Sequence, residues 1–157
     1  MNMKEKQPKE EKPILRSTVI TEDELYEMVY DKVTNKTSYI KIDRRGALEF
    51  FIEKIKIGTE KYQPYPPTNN LVEKGVILFP SLPCPYDNEE EILSEIRTFI
   101  HKYLDISEVY EQIATYYVLF TWMYDKFNEV PYLRAIGDFG SGKSRFLQTI
   151  GVLCYKP

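Results

Sequence analysis

The chain is short of the residues that do metal and nucleophile chemistry. Its 157 residues hold one histidine, His101, and two cysteines, Cys84 and Cys154. A single histidine excludes a paired-histidine catalytic centre and a multi-histidine metal site. The cysteines lie far apart and in no metal-like spacing, so two reduced thiols in a cytoplasmic protein are expected. No run of about 18 apolar residues occurs, so no membrane span is expected. The first thirteen residues, MNMKEKQPKEEKP, lack the apolar stretch of a secretory signal. An excess of positive charge is missing too. The net charge is -3 and the isoelectric point about 5.4, which argues against a generally basic nucleic-acid binder.

What is present is enough apolar surface for a core. Hydrophobic residues make up 43% of the chain and aromatics 14%, so much of that core must be aromatic. The length suits one ordinary domain or two small ones. Residues 1–13 are charged, mixed in sign and without large apolar groups, and are expected to form a disordered tail. Residues 14–79 read as a small β-rich module. ILRSTVI (14–20) is rich in β-branched residues, and LYEMVYDK (25–32) and SYIKID (38–43) flank a polar turn containing Asn35. The alternation of SYIKID favours a hairpin with one buried face. A helix over TEDELYEMVYDKV, capped by Thr21 with Glu24 at the capping-box position, competes with it. ALEFFIEKIKI (47–57) reads as strand or short helix, and VILF (76–79) as a short strand.

Residues 80–130 read as a helical hairpin region. Asp87 or Asn88 opens the first helix, whose apolar residues run from Ile92 to Leu104 at helical spacing. Ser107 opens a second helix that extends to about Asn128. It is apolar over most of its circumference, so burial on more than one side is expected. Its aromatic stripe, Tyr116, Tyr117, Phe120, Trp122 and Tyr124, has no interleaved basic residues. It reads as core in preference to a base-stacking platform. A small basic patch of Lys41, Arg44, Arg45, Lys54 and Lys56 is a weak pointer to a partner, and a solvated turn is the plainer reading.

The last segment, residues 131–157, carries the chemistry. GDFGSGKS runs from Gly137 through Gly142, Lys143 and Ser144, and satisfies G-x-x-x-x-G-K-[ST] in full. A chance match has a probability on the order of 1%, with glycine near 7% of residues. The context strengthens the reading. Residues 132–136 are a candidate apolar strand, and Phe146, Leu147, Ile150 and Leu153 follow at helical spacing. Gly140, Ser141 and Gly142 are small where backbone must approach phosphate. Amides from about Gly140 to Ser144 would meet the β-phosphate at a helix N-terminus. Lys143 would reach the β- and γ-phosphates, and Ser144 would hold Mg²⁺. Gly137 would allow a sharp exit from the strand. Arg145 is expected to face solvent. The expected fold class is thus α+β to α/β: a β-rich N-terminal module, a helical hairpin, then a first strand–P-loop–helix unit.

GDFGSGKS resembles the Walker A motif of P-loop NTPases. The wider stretch YLRAIGDFGSGKSRFLQTIGVLCYKP looks like the opening of an ATPase core of the RecA-like or AAA+ kind. It is similar to ATPases and helicase-like proteins of phages, plasmids and other mobile elements. The resemblance covers about residues 80–157. It implies ATP and Mg²⁺ as cofactors, Lys143 as a catalytic residue, DNA as a partner, and a homo-oligomer when full length. Such an ATPase also needs an acidic strand end, a sensor residue and an arginine finger, all after the Walker A helix. The chain therefore reads as the N-terminal portion of a longer ATPase. A nucleotide or small-molecule kinase, and an interaction module with a vestigial loop, are the alternatives.

Overall fold

The computed structural model describes residues 12–129 and 131–156. The tail expected over residues 1–13 lies outside them except for its last two positions. The fold is mixed α+β, with seven strands in two sheets and four α-helices among the described residues. The chain divides into two compact units, Met1–Leu82 and Pro83–Pro157.

The first unit is the β-rich one. Its larger sheet has the order β2-β3-β4-β5: Thr18–Ile20, Glu24–Asp31, Lys36–Asp43 and Leu48–Ile52, all antiparallel. The smaller sheet has the order β1-β7-β6, from Ile14–Leu15, Glu60–Gln63 and Ile55–Ile57, with β1 parallel to β7. The hairpin β3–β4 is the centre of this unit, and its turn has a clear local cause. Asp31 Oδ1 accepts from the backbone N–H of Val33 at 2.9 Å, Thr34 Oγ1 donates to Asp31 Oδ2 at 2.6 Å, and Asn35 takes a positive φ of 52°.

Period-2 alternation puts Tyr26 and Met28 on the core face of β3, where Met28 lies opposite Tyr39 of β4. The Tyr26 and Tyr39 rings meet edge to face at 6.3 Å. Ile55 and Val72 complete this core, the latter from the short helix α1, Asn70–Glu73. The helix reading of TEDELYEMVYDKV is overturned. Thr21 Oγ1 accepts from the Glu24 N–H at 3.0 Å and donates to the Glu24 carbonyl at 3.1 Å. The pairing that resembled a helix cap closes a tight turn into β3 instead.

The strand-like reading of residues 14–20 is refined, and the strand expected over 76–79 gives way. Residues 14–20 form two strands, because the chain leaves one sheet after Leu15 and enters the other at Thr18. Residues 76–79 form no strand. Phe79 packs against the core, the Ile77 N–H donates to the Leu71 carbonyl at 3.2 Å, and the Tyr30 N–H donates to the Pro80 carbonyl at 2.9 Å.

The second unit is helical. Helix α2, Glu89–Tyr103, begins at Asn88, whose side chain accepts from the Glu91 N–H at 2.9 Å. The Glu91 carboxylate accepts from the Asp87 N–H at 3.0 Å, so the cap is closed from both sides. Helix α3, Glu108–Trp122, begins after Ser107 as expected, although the Ser107 side chain makes no capping bond. It ends earlier than expected and passes into a 3-10 turn, Tyr124–Lys126.

Helix α4, Lys143–Gly151, packs with this hairpin. The core is Ile100 and Leu104 from the α2 side, Ala114 and Val118 from α3, and Ile150 from α4. Only one stripe of α3 is buried: Glu111, Ala114, Thr115 and Val118. Val109, Tyr110, Ile113 and Tyr116 are exposed, so the expected burial on several sides is not observed. The end of α3 instead grips the segment after α4. Trp122 Nε1 donates to the Leu153 carbonyl at 2.9 Å, and Tyr155 sits against the Trp122 and Tyr124 rings.

Candidate functional site

Residues 132–136 do not form the expected strand, and they pair with no strand among the described residues. Leu133 alone of this run packs against the core, while Tyr132 and Ile136 are exposed. The chain then turns through residues 137–142 into α4. Gly140 and Gly142 both take left-handed backbone, with φ of 80° and 83°. These left-handed residues are two positions apart, with Ser141 between them, and they curl the backbone into the kind of tight turn from which an anion nest is built, while the Ser141 N–H donates to the Asp138 carbonyl at 3.3 Å. The conformation costs an L-residue roughly 1–2 kcal/mol, which is why glycine occupies both positions.

Gly137 is small for a different reason. A Cβ on it would lie 2.5 Å from Ser141 Oγ and 3.1 Å from Ser141 Cβ, so the two ends of the loop touch there. Lys143 closes the loop from inside. Its ammonium donates to the carbonyls of Gly137 at 2.8 Å and Asp138 at 2.5 Å, and lies 3.3 Å from Ser141 Oγ.

Gly142 is the N-cap of α4, and the first helical bond runs from the Phe146 N–H to the Gly142 carbonyl at 2.9 Å. The N–H groups of Lys143, Ser144 and Arg145 therefore precede the helix's own acceptors. They add partial positive charge at the place where the ammonium also sits. Of the six residues singled out in the sequence, Gly137, Ser141 and Lys143 are in direct contact. Gly140 and Gly142 shape the turn between them, and Ser144 stands exposed in the first turn of α4. Asp138 contributes its carbonyl, and Phe139 is fully exposed.

A hollow of about 290 Å³ opens beside the loop. Its walls are the end of α2 and the turn after it (Tyr103, Leu104, Asp105, Ile106), then Ala135 and Ile136, then the loop and first turn of α4, including Arg145. Sequence reasoning did not find it, because it arises from how the α2–α3 turn packs on α4.

A second feature missed from sequence is a polar cluster between α2 and α3. Glu111 lies on the buried stripe of α3. Its carboxylate is 2.6 Å from His101 Nδ1 and accepts from Arg97 Nε at 3.2 Å. The bond to His101 holds the Glu111 carboxyl below its ordinary value; burial opposes this and Arg97 reinforces it. A carboxylate on an apolar stripe opposite an i, i+4 pair of basic residues was the available signal.

Two residues of the weak basic patch have acidic partners. Lys41 pairs with Glu49 at 2.6 Å and Glu24 at 3.6 Å, and Arg44 pairs with Asp23 at 3.0 Å. No family model, curated protein or solved structure matches the chain. No group of three or more His, Cys, Asp or Glu side chains that could hold a metal occurs among the described residues, and no helix there is long and apolar enough to cross a membrane. Cys84 and Cys154 are both free thiols.

Proposed function

We propose that this chain is the ATP-binding portion of a P-loop ATPase, of the helicase or replication-motor kind. The observation that carries the reading is the closed loop itself. Gly137 and Ser141 touch, two left-handed glycines curl the backbone, and Lys143 lies across the loop at the start of a nine-residue helix. Backbone donors, an ammonium and a helix N-terminus gathered in one turn suit a polyphosphate.

The chemistry assigned to each residue follows from its place. The amides around Gly140 to Ser144 would hold the β-phosphate. Lys143 would exchange its loop carbonyls for β- and γ-phosphate oxygens, keeping its charge satisfied in both states. The Ser144 hydroxyl is the group that would hold Mg²⁺, a hard cation that otherwise takes phosphate oxygens and water, so one protein oxygen is a fitting donor set. When bound, Mg²⁺ neutralises phosphate charge. That the motor acts on DNA, and as a homo-oligomer when full length, rests on the resemblance of residues 80–157. The paired lysine and arginine of the first unit lend it no support.

Calorimetric titration of the chain with Mg·ATP tests the reading. Binding is expected, and Lys143→Ala should weaken it about tenfold or more, the loss of a charge-assisted contact. A chain that binds no nucleoside triphosphate, or a Lys143→Ala variant that binds it equally well, would overturn the proposal.

A further inference from the structure

Helix α3 is apolar on two opposite sides, and only one of them is covered. At about 100° per residue, Glu111, Ala114, Thr115 and Val118 fall on the side that packs with α2 and α4. Val109, Ile113, Tyr116 and Phe120 fall on the other, at alternating spacings of four and three. That spacing is the a/d seam of a coiled coil. Val109, Tyr110, Ile113 and Tyr116 are 48–64% exposed. Phe120 is half-buried, its ring held against those of Tyr117 and Phe127.

The chemistry of this face selects its occupant. No lysine or arginine lies between Lys102 and Lys126, so the face has no cation to draw it to a phosphate backbone or an anionic lipid surface. It is complementary to itself. When two copies run antiparallel about a point between Ile113 and Tyr116, Val109 meets Phe120 and Ile113 meets Tyr116, an aliphatic side chain against a ring each time. The same arrangement opposes the two helix dipoles and sets the Glu108 carboxylates at opposite ends, where a parallel pair would bring them together. A tyrosine or phenylalanine can bury about 150–250 Å², so at these exposures the face offers about 500 Å² per copy. A pair would cover about 1,000 Å² in all, the size at which specific but weak association begins.

We propose that α3 packs against α3 of a second copy of this chain, antiparallel, with Val109, Ile113, Tyr116 and Phe120 as the seam. The pair is closed by two-fold symmetry, unlike a head-to-tail ring. It uses no residue of the loop or of the hollow, so it forms with or without nucleotide. It also supplies the second buried side that a helix apolar over most of its circumference requires.

Sedimentation equilibrium of the full chain without nucleotide tests this. The average mass should rise from that of one chain to that of two across micromolar concentrations. Ile113→Lys and Tyr116→Glu each put a charge in the seam at an exposed position. Each alone should weaken the pair at least about tenfold and leave the circular dichroism and melting temperature of the dilute chain unchanged. An equimolar mixture of the two variants should regain association, because antiparallel packing sets the new ammonium of one copy against the new carboxylate of the other. A chain that stays monomeric, or a dimer that neither variant weakens, would overturn the proposal. Variants that weaken the pair yet do not recover on mixing would overturn the antiparallel seam. A monomeric chain that binds neutral lipid vesicles would give the face to a membrane surface and reject the second copy.

Discussion

At the scale of the residue, the loop depends on what is missing from Gly137. Any Cβ there meets Ser141, and both atoms in its way belong to one side chain. The obstruction is thus local and separable from the fold. Gly137→Ala should leave α4 and its core intact, since Gly137 is no part of the apolar cluster that holds Ile150 and Phe146. It should still strain the loop by about 1–3 kcal/mol, the usual cost of overpacking. That strain appears as weaker Mg·ATP binding together with a melting temperature lowered by several degrees. Adding Ser141→Gly removes both clashing atoms and should recover part of the affinity, although it also removes the hydroxyl near Lys143. The coupling between the two changes is what a double-mutant cycle measures. Simple additivity of the two losses would show that the contact does not shape the seat.

At the scale of the element, α2 and α3 are joined by apolar packing and by one carboxylate held in place. The Glu111 carboxyl lies below its ordinary value chiefly because of His101, then Arg97. The sign follows from linkage. A depressed folded-state value means that the unfolded chain takes up the proton first as acidity rises. The stabilisation is therefore complete above the ordinary value of 4.5 and is lost as pH falls through the folded value. Melting temperatures of the unaltered chain and of Glu111→Gln should differ by several degrees at neutral pH and converge in acid. A gap that stays constant with pH would mean that packing, not charge, carries the cluster.

Elements were also where the sequence was most and least readable. The hairpin β3–β4 was legible because alternation, an Asp-initiated turn and Asn35 all agree. The start of α2 was legible because Asn88 and Glu91 sit at capping spacing. Residues 76–79 and 132–136 look like strands in composition, yet a strand exists only when a neighbour completes its ladder, and one segment's residues do not reveal that. Helix α4 stops at Gly151 although its apolar spacing runs to Leu153: the Leu153 and Cys154 N–H groups bond three residues back, to Ile150 and Gly151, and Trp122 and Thr121 tie the turn that results to α3. The Glu111 cluster and the hollow depend on which helix faces meet, and no single-segment pattern encodes that. The loop was legible because its chemistry is local, held within eight consecutive residues.

At the scale of the whole molecule, the two units have separate cores, one built on Tyr26, Met28 and Tyr39 and the other on Ile100, Ala114, Val118 and Ile150. Every residue of the loop and every wall of the hollow belongs to Pro83–Pro157. If nucleotide binding is local to that unit, residues 83–157 expressed alone should bind Mg·ATP within a few-fold of the full chain. Such a unit is near the size at which one hydrophobic core supplies only a few kcal/mol, so its stability must be measured first, by chemical denaturation. Its clamp is favourable: Trp122, Thr121 and Tyr155 tie the end of α3 to the segment after α4, and α4 is the helix that carries the loop. A cooperative unfolding transition with retained affinity would place the whole seat in the second unit. A folded fragment that binds nucleotide far more weakly would show instead that the β-rich unit contributes to the site, and would turn attention to its exposed Leu48, Phe50 and Phe51.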